Sequence, residues 1–553
     1  SPAGAQPMRS PDGRFAIVYN GELYNHEEVR SDLRAAGVEL RTRSDTEAVL
    51  MALATFGIDA LRRLRGMYAI GFADLKESTL LLARDPLGVK PLYYVRRSES
   101  EIAFASEIGA LLEIPGVSDA PDNLVVTSYL CSVRTTLGDR TLYSSVRTLR
   151  PGESLLFAPG IGRLRTTRSD WWDNPPTPQD EDVRTAVADS LRRHMVSDVP
   201  LCCLLSGGLD STILATLAAD QLAAPLRTYC SGSHAGPDPR GAAGGDDFHH
   251  AALVAAEIGS VHREAPVSRE LFADRWPEMV RAMRAPLSTP NEVAINVVAS
   301  ALRADGAIVT LSGEGADELF GGYDMPLARA AAYEAARDAP NWRESGRWAF
   351  DSNTWIGRDA LLTMLEPAVA GEFASHVDEA REACAAEFER LAARGAMEDP
   401  LQVHLRYQRR VNLEGLLRRF DSATMLAGVE GRTPFADAEV CMLAESLPVT
   451  SKFAAGVPVA AGPREQGASS RYATKIALRE AFAESVPPAV MDRAKASFPL
   501  PFQSWIEDHA DALTRSSYMT QLFTPAALHT IARNAPRVWN AAWPMINLAL
   551  WRG

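Results

Sequence analysis

The sequence predicts two fold classes in one chain: a β-rich α+β first third, then an α/β region on a parallel sheet that becomes mostly helical toward its end. Three observations carry this. Short apolar and β-branched runs at 15–19, 67–72, 79–83 and 102–106 mark strands in the first third, with one clear helical stretch at 45–56 among them. From residue 181 onward strand-like and helix-like runs alternate, the pattern of a parallel sheet covered on both faces, with ligands expected at the carboxyl ends of its strands. Two of those strands run straight into strings rich in glycine and carboxylate, SGGLDS at 206–211 and SGEGADELFGGY at 312–323.

With 553 residues the chain exceeds what one hydrophobic core holds, so two or three domains are expected. The run Asn174-Pro175-Pro176 and Thr177-Pro178 reads as a connection, which divides the chain into a first domain at 1–165, a linker at 166–179 and a second domain at 180–553. Apolar residues make up 46% and charged residues 23%, as in a soluble globular protein. A net charge of -13 argues against general affinity for nucleic acid or an anionic membrane surface. The local cluster Arg409, Arg410, Arg418 and Arg419 reads as a solvated or ion-paired helix face. No run is long and apolar enough to span a bilayer and the start shows no basic-then-apolar leader, so the cytoplasm is the expected compartment. The six cysteines, Cys131, Cys202, Cys203, Cys230, Cys384 and Cys441, have neither zinc-site spacing nor disulfide density. Cys202 and Cys203 fall inside an apolar strand, where burial makes a thiol inert.

In the first third two polar strings interrupt the strands. Asn20-Gly21-Glu22 reads as a turn with a solvated carboxylate, and Arg84-Asp85-Pro86-Leu87-Gly88 as a loop whose proline and glycine set the backbone. In the second domain the expected order is helix 181–195, strand 200–205, helix 211–222, strand 227–231, helix 248–258, strand 261–264, helix 292–303 and strand 307–311. The segment 232–245, rich in Gly, Ala, Pro and Asp, reads as a loop over the ligand edge. From residue 330 the chain is mainly helical, and Lys475 falls on a helix at 471–482.

The chemistry sits where strands end. Gly207 and Gly208 let the backbone approach a ligand, and N–H groups of the loop and first helical turn converge at the positive end of a helix dipole, so a phosphate fits there. Asp210 at this loop and Asp317 at the next would neutralise phosphate charge through a magnesium ion. A plain tight turn and an acidic capped helix are the structural alternatives.

The string SGGLDS resembles the pyrophosphate-binding loop of the ATP pyrophosphatase family, whose members attach AMP to a substrate. The strings NGELYNH, RSDTEAV, RGMYAIGFAD, RDPLGVKPLYY and ASEIGAL follow one another as in the glutaminase domain of asparagine synthetases. SGEGADELFGGY and RRFDSATMLAGVEGRTPFAD, at 418–437, match the synthetase half of that family, and the resemblance spans the chain from Ser1 to about Trp505. It implies an N-terminal-nucleophile (Ntn) glutaminase domain followed by a parallel-sheet, mostly helical synthetase domain. In the first, residues matching Asn20, Glu22 and Asp45 hold glutamine. In the second, Leu204, Ser206, Gly207, Gly208, Asp210, Ser211, Ser231, Ser312 and Gly313 surround ATP and pyrophosphate. Asp210 and Asp317 then hold Mg2+, Lys475 reaches the phosphates, and Glu314 assists proton removal. Arg493 and Lys495 are further phosphate contacts. Asp421, Glu430 and Arg432 correspond to family residues, read either as an ion pair that fixes geometry or as substrate contacts.

The resemblance implies a ligase that adenylates a small carboxylate, aspartate or a related acid, and aminates it with ammonia from glutamine, sent to the second domain through an internal passage. It leaves a homodimer open. The family's nucleophilic cysteine stands at the extreme N-terminus, where the free amine serves as base. This sequence begins with SPAGAQPM, which resembles a stretch downstream of that cysteine. Ser1 in a proline- and glycine-bearing loop is a poor substitute, so the chain as written is expected to use free ammonia. Three alternatives stay open. An intramolecular amide former, such as a β-lactam synthetase or lasso-peptide cyclase, or a relative making amides or hydroxamates of a specialised acid, would keep the adenylating half. A tRNA-thiolating ATP pyrophosphatase would lack the NGE and RDPLG strings, and a non-catalytic relative would not need Asp210, Glu314, Asp317 and Lys475.

Overall fold

The computed structural model describes residues 4–158, 165–168, 182–234, 247–392, 399–455, 472–491, 493 and 500–553. Ser1, the connection at 169–181, most of the 232–245 segment and Lys495 lie outside the described residues. Two compact units divide the chain, one formed by Ser1–Asp122 and Gly138–Thr177, the other by Asn123–Leu137 and Pro178–Gly553.

The first unit is built on an antiparallel sheet in the order Met8–Arg9, Phe15–Leu23, Gly66–Asp74, Thr79–Arg84, Glu153–Phe157 and Arg165–Arg168. A second sheet sets Ile102–Ala105, Tyr93–Arg96, Arg147–Thr148 and Arg140–Thr141 side by side. The helix Asp45–Phe56 has the predicted bounds, because the Ser44 hydroxyl caps it by accepting from Thr46 N–H and Gly57, at φ 61°, ends it. Its residues Ala48, Val49, Ala52 and Leu53 pack on Ile17, Leu23 and Ile70 of the sheet and on Val29 and Leu33 of a second helix, His26–Ala35, which the sequence pattern leaves unassigned. The predicted turn at Asn20-Gly21-Glu22 is corrected: these residues continue the strand Phe15–Leu23, paired in register with Ala69, Tyr68 and Met67. A Cβ on Gly21 would stand 2.1 Å from the Met67 carbonyl oxygen, so glycine keeps that pairing unbroken.

The second unit centres on five parallel strands in the order Val261–Pro266, Arg227–Gly232, Leu201–Leu204, Val309–Leu311 and Glu430–Arg432. Chain direction across the sheet reverses between Leu201–Leu204 and Val309–Leu311, and a crevice opens beyond the carboxyl ends of strands at such a switch point. The helices Leu209–Gln221, Asp247–Glu257 and Asn291–Ala304 follow the predicted alternation within one or two residues. The fifth strand was not foreseen: three residues are too few to show a period. There Arg432 donates from Nε to Glu430 at 2.7 Å and from Nη1 to the carbonyls of His194 and Val196, at 2.8 and 2.6 Å, tying the strand to the end of the helix Val183–His194. Glu430 and Arg432 thus form a structural ion pair.

The helix Asn123–Ser132, from the first third of the sequence, belongs to this second unit. Tyr129 donates its hydroxyl to the Leu287 carbonyl at 2.6 Å, and Trp355 N–H bonds to the Cys131 carbonyl at 2.6 Å. Among the described residues no helix is long and apolar enough to cross a membrane.

Candidate active site

The two strings at the switch point share one cavity of about 250 Å³. Its wall takes Leu204, Ser206, Gly208, Asp210 and Ser211 from the first loop, Ser231 from the neighbouring strand, and Ser312, Gly313, Glu314 and Asp317 from the second loop, together with Lys475. Of the described residues expected around nucleotide and metal, Gly207 alone is not part of this wall. It takes φ 68°, and a Cβ there would lie 2.5 Å from the His250 carbonyl carbon, so its task is the turn beside the helix Asp247–Glu257.

The first loop is held by its own hydroxyls. Ser206 N–H donates to Ser211 Oγ at 3.2 Å, the two hydroxyl oxygens stand 3.1 Å apart, and Ser211 Oγ donates to the Gly208 carbonyl at 3.2 Å. The second loop comes against it: a Cβ on Gly313 would stand 2.9 Å from Asp210 Cβ. Arg493 braces the first loop by donating to the Ser206 carbonyl at 2.9 Å and pairing with Asp247, so its guanidinium is already engaged by protein.

Lys475 is not on a helix as expected. It takes φ 53° at the junction between the strand Tyr472–Thr474 and the helix Ile476–Ala481. Its ammonium lies 2.5 Å from Asp210 Oδ2 and 2.7 Å from Asp317 Oδ1, with the side chain 6% exposed. Burial works against the charge, but the attraction of Asp210 and Asp317 outweighs it, so the pKa is raised and the lysine stays charged. Gly322 makes the arrangement possible: a Cβ there would fall 1.8 Å from Asp317 Oδ1 and 2.4 Å from Lys475 Cε. Asp210 and Asp317 therefore converge on one cation, and carboxylate oxygens are the hard donors that magnesium takes, so the residues fit that ion. Among the described residues no group of three or more His, Cys, Asp or Glu could hold a metal. Any further ligands to such an ion would come from phosphate and water.

Sequence reasoning missed Asn291, Tyr323, Arg419 and Phe420, which also line the cavity. Arg419 donates to Thr289 Oγ1 at 3.0 Å, and its buried Nε has no hydrogen-bond partner. A solvated face was among the readings for its cluster, yet Arg409 pairs with Glu445 at 2.5 Å and both are mostly buried. Proximity to Asp421 was the available signal for Arg419; Asp421 itself is buried outside the cavity wall. Thr289 sits on a loop with a firm grip from other elements. Asn547, fully buried, accepts from Leu287 N–H at 3.0 Å and from Trp276 Nε1–H at 2.9 Å, Trp543 Nε1–H donates to the Ser288 carbonyl at 3.0 Å, and Glu292 accepts from the N–H groups of Ser288 and Thr289.

In the first unit Asn20 donates to Ser106 Oγ at 3.0 Å, and Asp45 accepts from Leu23 N–H at 3.2 Å, which fastens its helix to the end of the NGE strand. Burial, and then the charges of Asp45 and Glu22, push the Tyr19 phenol far up, so both carboxylates stand near one tyrosine. Asn20, Glu22 and Asp45 are half-buried. All six cysteines are buried and none is in a disulfide. Burial pushes Cys202 up to about 11, in line with an inert thiol.

The sequence model of the asparagine synthase family matches residues 182–553, and that of the glutamine amidotransferase domain matches 1–172. Glutamine-hydrolyzing asparagine synthetase 1 of Bacillus subtilis is 27% identical over 99% of this chain and 88% of its own length. A putative glutamine-hydrolyzing asparagine synthetase of Mycobacterium bovis is 30% identical over 93% of this chain and 78% of its own. Asparagine synthetase B of Escherichia coli is 28% identical over 58% of this chain and 54% of its own. With two motif loops meeting in one cavity and a family match that runs through all five parallel strands, this chain belongs to the asparagine synthase family.

Proposed function

We propose that the chain is a carbon–nitrogen ligase that converts a carboxylic acid, aspartate or a related acid, to its amide with ATP and ammonia, which glutamine normally supplies. The observation that supports this reading is the convergence of Asp210, Asp317 and Lys475 beside Glu314 at the switch point. A free carboxylate is a poor electrophile, so the acid must first be activated. One of its oxygens attacks the α-phosphorus of ATP, the bond to the bridging oxygen breaks, and pyrophosphate leaves. The backbone and hydroxyls of Ser206, Gly208 and Ser211 cradle the departing phosphates, and Lys475 neutralises them. Leu204, Ser231 and Gly313 border the adenosine, with Ser312 beside them. Asp210 and Asp317 would hold a magnesium ion, whose chemistry is to neutralise phosphate charge. Ammonia then attacks the acyl carbon and AMP departs with the bonding electrons. Glu314, on the same wall, takes the proton that the new amide nitrogen sheds. The cavity also holds the reacting groups together, which supplies much of the rate.

The first unit is assigned the Ntn glutaminase role, with Asn20, Glu22 and Asp45 binding glutamine. Its antiparallel sheet, and the closeness of Glu22 and Asp45 to Tyr19, support that reading.

The test is acid-dependent exchange of pyrophosphate into ATP over a panel of carboxylic acids that begins with L-aspartate. At least one acid should drive exchange, and the same acid should yield an amide when ammonium is added. No exchange with any acid, and no AMP, would sink the adenylation reading. Glu314→Gln should retain exchange and lose amide; equal loss of both steps would move Glu314 from proton transfer to binding.

A further inference from the structure

The cation between Asp210 and Asp317 in this structure is an ammonium belonging to the protein itself. Oxygens from the two switch-point loops approach one nitrogen at 2.5 and 2.7 Å, which is how two carboxylates grip a metal-sized charge. We propose that Lys475 is the resident stand-in for the divalent ion: without nucleotide it fills the cation position and keeps the ion out, and the ion binds only together with ATP. This rests on the reading that the cavity binds ATP with a divalent cation.

Electrostatics gives the reason for coupling the binding of ion and nucleotide. A dication placed between Asp210 and Asp317 while Lys475 remained there would press two positive groups together in a mostly buried site. Withdrawing Lys475 with nothing in its place would leave two carboxylates facing each other and a buried ammonium unpaired, each a severe cost. Arrival of the nucleotide with its ion solves both at once. The ion takes the carboxylates, the phosphates take the ammonium, and no buried charge is left alone.

The local structure suits such an exchange of partners. Lys475 sits at a junction, the last residue before a short helix, in the left-handed region at φ 53°. Its present seat exists only because residue 322 has no side chain, as the 2.4 Å approach of a Gly322 Cβ to Lys475 Cε shows. An alanine there would displace the Asp317 carboxylate together with the ammonium, since its Cβ would lie 1.8 Å from Asp317 Oδ1 as well.

The experiment uses the full chain and Mn2+ as the probe, with unbound Mn2+ counted by its electron paramagnetic resonance signal. Wild type without nucleotide should bind Mn2+ at least about tenfold more weakly than Lys475→Met, since only the variant offers both carboxylates without a competing charge. Adding the non-hydrolysable analogue α,β-methylene-ATP should bring Mn2+ onto the wild type. Mn2+ alone should raise the melting temperature of Lys475→Met and leave that of the wild type unchanged. Asp317→Asn combined with Lys475→Met should abolish the nucleotide-independent binding and so locate it. Nucleotide-free wild type that binds Mn2+ as tightly as it does with the analogue overturns the proposal, and this arm decides even if the lysine variant does not fold. Absence of Mn2+ binding with the analogue present would instead sink the reading of the cavity as an ATP and metal site.

Discussion

Asp85 in the first unit and Asp317 in the second are both shielded carboxylates that follow a strand, yet their partners differ in kind. Asp85, 1% exposed, accepts backbone N–H groups of Tyr68, Leu87, Val89 and Lys90 at 3.3, 3.1, 2.9 and 2.9 Å. Beside it Arg84 donates to the carbonyls of Gly88, Lys90 and Leu149 at 2.7 to 2.8 Å. RDPLG is therefore a loop wired to fixed backbone, as the plainer reading of its sequence held. Asp317 meets Lys475 at the end of a long side chain, and a side chain can turn away without unfolding anything. A carboxylate locked to backbone holds shape, whereas one paired to a movable ammonium can take another cation.

The largest effect expected from this contrast is catalytic. Asp317→Asn or Asp210→Asn should lower acid-dependent AMP formation by about a thousandfold or more, as expected when charge compensation at a transferring phosphate is lost, with a melting temperature near the parent's. Asp85→Ala should do the reverse, destabilising the protein by about 3 kcal/mol through orphaned buried N–H groups while the folded fraction still forms AMP. Measuring both properties in all three variants is decisive. An Asp317 variant that is unstable but active would erase the distinction.

A smaller effect is read against pH. His194 is buried in the second unit, its Nδ1–H donating to the Ser190 carbonyl at 2.8 Å, and burial pulls its pKa down to about 4. Below the ordinary value of about 6.5 an unfolded chain protonates this imidazole and the folded one does not, so the unfolded state binds more protons and stability falls with falling pH until about 4. Denaturant midpoints taken from pH 7 to pH 4 should show that decline, and His194→Gln should flatten part of it. An unchanged slope would mean that other groups set the acid limb. Smallest of all, Tyr129→Phe removes the hydroxyl that holds the Leu287 carbonyl and should cost about 1 kcal/mol in chemical denaturation, with the ring still packed. A loss several times larger would mean that this grip, and not the core around the ring, maintains the loop before Asn291.

Much of the second unit was legible because its strands are apolar and its helices long enough to show a period, and because glycines and carboxylates fell where those strands stop. Asp210 and Asp317 were singled out by that punctuation, and Glu314 by resemblance. Lys475 was assigned from resemblance, and its place at a junction escaped notice because the strand Tyr472–Thr474 is three residues long. Arg419 and Tyr323 were given no role for another reason: an arginine on a helix, or a tyrosine just before one, reads the same whether it faces solvent or a cavity, and only packing distinguishes them. In the first unit Gly21 misled, since glycine beside asparagine signals a turn unless a neighbouring strand leaves no room for a side chain.

The assignment of Asn123–Leu137 to the second unit has a consequence for biosynthesis. The ribosome makes the helix Asn123–Ser132, apolar and almost wholly buried in the finished fold, long before the residues that cover it. Its partners Leu287 and Trp355 emerge much later, and the residues on either side of it fold into a different unit. The nascent chain must therefore carry an adhesive helix with nothing to dock on through much of translation, an interval in which a chaperone or misassembly competes for it. A fragment that starts at Pro178 would lack this helix as well, and with it part of its own core.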